Sequence, residues 1–366
     1  MKKRVAISLG ILSLCGSALQ TAQASGFANS DASAAGVGLA NAMVAGVADV
    51  SAASYNPAAV AWLEGVEIQL NTAVKLRNSS VVTATGMPFN AGNNYKVQGF
   101  NAIWMPHSGN VGASMALTRP FAAHNAWFGA QTNLEVDRLS LDVVYALSST
   151  LAVAHGLDIY QSRVQMTQGA AAFSGSDRAS FGINIGVNWK PAPFWRVGML
   201  LRTGSKVKIS QGVQKMNLNL PETLTLGVSH DVDDMFRLEG DVTYTHWSRL
   251  NDLNVQGGTI THATSLKNTF AIKTGLSYYW LPNTAFRFGY AYQQGANSTG
   301  NVQPAIIDQA GHRFTIGAGG DLMGVHIDLA YAYGFYTNQT ATAPLAFAGA
   351  YHDRQQTLAL SVSKKF

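Results

Sequence analysis

Ten titratable side chains share one position in the local pattern. Lys75, Arg77, Arg237, Glu239, Asp241, Lys273, Arg287, Arg313, His326 and Asp328 lie in segments that alternate apolar with small or polar residues, and each falls on the polar phase. Charges of both signs on one face of a sheet can pair, and a cation in a low-dielectric pocket can hold a carboxylate by a charge-assisted hydrogen bond. Lys273 and Arg313, on strongly alternating segments, are the candidates for binding a ligand carboxylate. The other reading of both is an ion pair that fixes a neighbouring segment. Catalytic chemistry finds little support. His155, Asp158 and Ser162 are close in sequence, but the odd spacing of His155 and Ser162 puts them on opposite faces of a strand. No GxSxG, HExxH or paired-carboxylate signature occurs. His326 and Asp328 put two potential metal ligands on one face, but a lone pair of this kind is more often a hydrogen-bonded couple. The expectation is a chain that is not an enzyme, with no metal site and no cofactor.

The elements that position these residues follow from composition and period. Residues 1–24 read as a secretory signal peptide: Lys2, Lys3 and Arg4, an apolar run from Val5 to Leu14, and the small ending Ala22-Gln23-Ala24. The mature chain then begins at Ser25. Cys15, the one cysteine, lies inside that signal, which leaves no disulfide framework. Removing the signal leaves 22 basic against 20 acidic residues, a balance that argues against nucleic acid as a partner. Charged residues make up 12% of the chain, about half the share usual in soluble domains. No stretch after the signal reaches the roughly 18 apolar residues of a spanning helix. A secreted chain so poor in charge and lacking such helices points to a closed membrane β-barrel.

The barrel requires alternating segments separated by short and long links in turn. About fourteen such segments start near Val66, Tyr95, Asn110, Leu134, Leu151, Arg178, Trp195, Leu218, Phe236, Asn268, Ala285, His312, Val325 and His352. Short links such as "PHSGN", "KPAP" and "LPNT" take turns with long ones such as "SSVVTATGMPFNAGN" and "TNQTATAPLAFAGAY". Trp104, Trp189, Trp195 and Trp280 stand beside short links, as an interfacial aromatic girdle would. A soluble β-sandwich also alternates, but it gives no reason to gather tryptophan at one set of turns. The fold class expected is all-β: a transmembrane antiparallel barrel of about 14 strands over 66–366, with residues 25–65 as a hatch inside the lumen.

That hatch is rich in Ala and Gly, does not alternate, and carries only Asp31, Asp49 and Glu64 as charges. The start "SGF", the run ending in "NPAAVAWL", then "LNLPETLTLGVSH", "YTHWSRLNDL" and the terminal Phe366 resemble the FadL family of outer-membrane transporters for long-chain fatty acids and other hydrophobic compounds, including aromatic hydrocarbons. The resemblance covers the mature chain, and Asn56-Pro57-Ala58 is its most specific element. It implies a fourteen-stranded barrel with an N-terminal hatch, with this motif acting as a gate beside a kink in the third strand. Pro120 is the candidate for that kink, because proline lacks the N–H a ladder needs; alternatively it ends the strand at the extracellular rim. The resemblance further implies capture in an apolar lumen pocket, hatch rearrangement and lateral release. Phe27, Phe100 and Trp247 are the candidate pocket-lining residues. Long-chain fatty acid uptake is the first reading, aromatic or alkane hydrocarbon uptake the second, and a general diffusion porin the third. The partners expected are a hydrophobic small molecule and the lipid and lipopolysaccharide of a bacterial outer membrane, around a monomer.

Overall fold

The computed structural model describes residues 27–127, 130–250, 253–258, 260–262, 266–297, 300–301, 308–343 and 348–366. The signal-peptide expectation lies outside the described residues. Fourteen antiparallel strands form the wall: β1 (Gly65–Thr83), β2 (Pro88–Met105), β3 (Val111–Trp127), β4 (Ala130–Ala146), β5 (Leu151–Gln168), β6 (Ala171–Ala192), β7 (Trp195–Arg202), β8 (Thr223–Asp231), β9 (Phe236–Thr245), β10 (Thr269–Leu281), β11 (Thr284–Gln293), β12 (Gly311–Leu322), β13 (Val325–Tyr336) and β14 (Gly349–Lys365). β14 pairs with β1 from Glu67↔Lys365 to Thr83↔Gly349, which closes the barrel.

Alternation decides which face each residue takes. Leu70 and Phe181 are 65% and 59% exposed on the outer face, while Asn101 and Asn188 are fully buried on the inner one. This apolar-out, polar-in order is the reverse of a soluble core and is what a lipid surround demands. Trp104, Trp189 and Trp280 are exposed near the short-turn ends of β2, β6 and β10.

The long connection expected after β1 is mostly strand, and the strands beside the links after β3 and β5 lengthen in the same way. β1 and β2 continue to Thr83 and Pro88, β3 and β4 to Trp127 and Ala130, and β5 and β6 to Gln168 and Ala171. Strands of 17 to 22 residues far exceed the roughly 9 to 11 needed to span a bilayer. Above the lipid the outer face need not be apolar, so the sequence loses its membrane alternation while backbone pairing continues. Leu218, expected to open a wall strand, instead lies in a separate hairpin of Lys206–Gln211 with Gln214–Asn219, and β8 begins at Thr223.

Residues 27–64 contribute short helices, α1 (Ala34–Gly38) and α2 (Ala52–Tyr55), and a 3-10 turn at Pro57–Trp62. Their hydrogen bonds reach inward-facing groups all around the wall: Ser361 on β14, Thr315 on β12, Asp241 on β9, Asn188 on β6 and Asn101 on β2. Small wall residues allow the approach. A Cβ on Gly198 of β7 would lie 2.1 Å from the Val44 carbonyl oxygen. Gly198→Val should therefore push residues 43–46 off the wall while the barrel persists. The expected result is faster amide hydrogen exchange in that stretch with unchanged heat-modifiable mobility on gels.

Candidate functional site

Asp31 ties the hatch to two sides of the barrel. Its buried carboxylate lies 2.7 Å from Lys75 Nζ on β1 and accepts from Arg313 Nη1 and Nη2 on β12 at 2.7 and 3.0 Å. Asn41 Nδ2 adds a bond of 2.8 Å, and Asn41 Oδ1 accepts from the Tyr55 hydroxyl at 2.6 Å. Ala40 and Asn41 hold left-handed backbone at φ 51° and 62°, a conformation easy for asparagine and uncommon for alanine. Thr315 holds the Ala40 position by accepting from its N–H at 3.1 Å and donating to the Gly38 carbonyl at 2.8 Å. Burial opposes the charge on Asp31, but Arg313 and Lys75 outweigh it and keep the carboxyl well below the usual carboxylate range. Arg313, a sequence candidate for ligand binding, is thus occupied by a hatch carboxylate. The signal for this pairing was present: Asp31 is one of three charges in the whole hatch.

Asn56 is fully buried at the entrance to the 3-10 turn. Its Oδ1 accepts from Ala58 N at 3.2 Å, and its Nδ2 donates to the carbonyls of Val44 at 2.7 Å and Val187 of β6 at 2.9 Å. Pro57 occupies the first turn of that helix, where its missing N–H leaves no bond unmade. The motif therefore latches one hatch segment to another and to β6. The hatch residues bonded to Pro120 and its flanks are Phe27 to Asn29.

The wall is interrupted at β3. β1 and β2 share eighteen register pairs, whereas β2 and β3 share five, from Phe100↔Leu117 to Trp104↔Ala113. Pro120 stands mid-strand in a bulge, where Thr118 to Phe121 oppose Arg138 to Val136 on β4. The hatch takes the vacated edge. Ala122 N donates to the Phe27 carbonyl at 2.9 Å, Asn29 N to Pro120 O at 2.7 Å, and Asn29 Nδ2 to Arg119 O at 2.8 Å. Farther along, Tyr95 of β2 stacks on His124 of β3 with centroids 4.7 Å apart. The interruption is bounded by Phe100 and Leu117 at one end and this stack at the other.

The three expected pocket residues separate. Phe100 does not line the lumen: its phase places it outward, in register with exposed Leu70 and Leu117. Phe27 packs edge-on against Phe121 and Trp247, with centroids 5.7 and 5.2 Å away. Trp247 is fully buried in a core that includes Val136, Ile209, Leu218 and Leu220. Phe27 thus joins the interrupted edge to an apolar core under the hairpin.

Behind Pro120 lies a cavity of about 180 Å³, lined by Phe121, Tyr160, Leu200, Ala271, Arg138, Arg202, Lys273 and Arg313 among others. Arg202 Nη1 donates to both carboxylate oxygens of Asp158, at 2.7 and 2.8 Å, and that carboxylate also accepts from Ser140 at 2.6 Å. Lys273 faces Asp241 in register, yet Asp241 Oδ2 accepts from the Met43 and Val44 amides at 2.8 and 3.0 Å. Among the described residues neither Lys273 nor Arg138 forms an ion pair. Sequence reasoning missed Arg138 because β4 changes phase around it: apolar Leu134 and Val136 point inward, whereas Leu141 and Val143 point outward. A second cavity of about 460 Å³ lies on the short-turn side of the hatch. Asp49, Glu67, Arg237, Glu239, Arg287 and Asp328 surround it. His155 is exposed on the outer face while Asp158 and Ser162 are buried on the inner one, so these three do not meet.

A lipid-facing barrel, filled by its own N-terminal segment and interrupted beside an internal cavity, defines a class of outer-membrane channel. The chain belongs to the family described as outer membrane protein transport protein (OMPP1/FadL/TodX), whose pattern it matches over residues 15–366. It is 25% identical over 262 residues to outer membrane protein P1 of Haemophilus influenzae, covering 56% of this chain and 57% of that one. The chain thus spans about half the length of the curated relatives it matches. The fold resembles a Pseudomonas aeruginosa FadL homologue, with a TM-score of 0.81 and 17% identity over 93% of this chain and 100% of that one. It also resembles the Pseudomonas putida toluene transporter TodX, with a TM-score of 0.72 and 15% identity over 91% and 98%.

Two substitutions probe the hatch. Asp31→Asn leaves Lys75 and Arg313 facing a neutral group, and breaking such a buried pair costs about 3 to 5 kcal/mol. Hatch exchange should accelerate throughout the neutral range. The parent's tie is present in full above the ordinary aspartate value of about 3.9 and is lost only as pH falls toward the lower folded value, so exchange in its hatch should stay slow at pH 4. Asn56→Ala removes three hydrogen bonds and leaves the buried Val44 carbonyl without its side-chain donor, a loss of about 1 to 3 kcal/mol for an unsatisfied buried group. The barrel should retain heat-modifiable mobility while amide exchange quickens in the hatch around Val44 and Ala58.

Proposed function

We propose that the protein carries hydrophobic small molecules across the outer membrane, with long-chain fatty acids the class that its cavity suits best. The observation that carries this reading is the cavity behind Pro120, which joins apolar side chains to Lys273 and Arg138, two cations without ion-pair partners among the described residues. An apolar tail fits Phe121, Tyr160 and Leu200, and a carboxylate in so dry a site gains a charge-assisted bond. The exit supported best is sideways. The route toward the short turns meets a charged chamber, whereas the interrupted wall presents Gly99, Leu117 and Phe121 beside a hatch edge held by few backbone bonds. Displacement of Phe27 to Asn29 opens that edge, and Asp31 and Asn56 keep the remainder of the hatch in place.

Aromatic hydrocarbon uptake is the second reading, favoured by the Phe27–Phe121–Trp247 cluster at the same edge and by the likeness in fold to a toluene transporter and a monoaromatic hydrocarbon channel. A neutral ligand makes no use of Lys273. Replacing Lys273 by Met should weaken fatty-acid binding by about tenfold or more, the scale of one lost charge-assisted hydrogen bond, and leave toluene binding unchanged. Calorimetric titration of the purified barrel with both ligands checks this. Unchanged fatty-acid affinity removes the carboxylate role and leaves the hydrocarbon reading.

A further inference from the structure

The outer surface carries a charge pattern that the lumen does not use. On β5 the outward row runs Leu157, Ile159, Gln161, Arg163; on β6 it runs Ile183, Phe181 and then Arg178, at the bulge opposite Tyr160 and Ser162. Beside β6 stands the hairpin, which turns Val207 and Ile209 into the apolar core and leaves Lys206 and Lys208 exposed. Lys208 N donates to Asp177 Oδ2 at 3.0 Å and Ser174 N to Gln211 Oε1 at 2.7 Å, which fixes the hairpin next to the Arg178 stretch. The strand rise places Arg163 roughly 13 Å beyond Ile159, and Arg178 roughly 10 Å beyond Phe181. The four cations therefore form one strip just past the apolar band.

Among the described residues none of the four forms an ion pair. Asp177 caps the backbone amides of Ala179 and Lys208. Glu135, opposite Arg163 on β4, is held by Arg119 at 2.9 Å and lies 3.4 Å from His124. On β3 and β4 the charges at this height thus pair with one another; one strand farther on they do not. Exposed cations at the edge of the hydrocarbon attract anionic headgroups, and the arginine fork matches phosphate geometry.

We propose that Arg163, Arg178, Lys206 and Lys208 bind the phosphorylated headgroup of lipopolysaccharide, with its acyl chains against Leu157, Ile159, Phe181 and Ile183. The long-loop end, where the strip lies, is the outward-facing end of such barrels, and the leaflet there is built of that glycolipid. Phospholipid phosphates of the inner leaflet would meet the opposite end.

The test titrates the full barrel in detergent with bisphosphorylated lipid A and with the same lipid dephosphorylated, read by native mass spectrometry. R163Q/R178Q/K208Q should weaken binding of the bisphosphorylated lipid by about tenfold or more, since each basic group near such a surface contributes appreciably. K96Q/K267Q/R354Q, which removes equal charge elsewhere, should bind like the parent. The dephosphorylated lipid should bind the parent weakly. Equal loss in both variants, no loss in the first, or equal binding of the two lipids by the parent overturns the assignment. Unchanged heat-modifiable mobility shows that a loss is not misfolding. If the triple variant fails that check, R163Q/R178Q is measured in its place and is expected to weaken phosphorylated-lipid binding severalfold; no change overturns the assignment.

Discussion

The carboxylate of Asp31, buried between Lys75 and Arg313, organises the inside of this barrel. A hatch of small residues buries too little apolar surface to form a core of its own, and its short helices leave backbone groups that need partners. The wall supplies them through Asp241, Asn188, Thr315 and Ser361. Charge is useful here because the tie must be strong at one point yet made of few bonds in total. Asp31 provides the strength and the backbone contacts provide the position. Between them they hold Phe27 to Asn29 against the edge of β3 with a handful of hydrogen bonds.

Much of this was legible in the sequence because a lipid surround imposes a strict code. Alternation in the strands of "FGINIGVNW" and "VHIDLAYAYGF" follows from sorting apolar and polar groups to opposite faces, and it located the starts of most strands. Pro120 was legible as a defect because its missing N–H is a local chemical fact. The code stops where lipid stops. Leu134 and Val136 face inward while Arg119, Glu135 and Asp137 form their ion pairs on the outer side, so the phase rule that works within the bilayer misplaces Arg138 beyond it. Phe100 was misread for a related reason: an aromatic residue has no preferred side unless the phase of its strand is counted. Long-range pairing was legible only as the scarcity of charge in the hatch, which singles out Asp31 without naming its partners. Nothing local to Asp31 says that its partners lie on β1 and β12.

The two surfaces solve opposite problems. Inside, several charges are buried and matched, as with Arg202 and Asp158 or Arg287 and Asp328, while Lys273 and Arg138 line the cavity where a ligand could meet them. Outside, the stretch just above the tryptophans is largely apolar, as with Leu157 and Ile159 on β5 and Phe181 and Ile183 on β6, and charge gathers past it on the upper parts of the strands, as at Arg163 and Arg178. The hairpin of residues 206–219 belongs to both surfaces. Val207, Ile209, Met216 and Leu218 complete the core beneath it, while its lysines face outward.

The break between β2 and β3 also bears on how the molecule assembles. An edge that lacks its partner strand is a template for pairing with any other chain, so β3 is hazardous until Phe27 to Asn29 reach it. Those residues are made first, and Asp31 must find Arg313 across 282 positions of sequence. Contacts so distant in the chain form slowly. The hatch therefore docks completely only when the last strands are in place, and sealing the wall and filling the lumen become one late cooperative event. A barrel closed without its hatch would keep an open seam, and Lys75 and Arg313 would face the lumen without the carboxylate that pairs them.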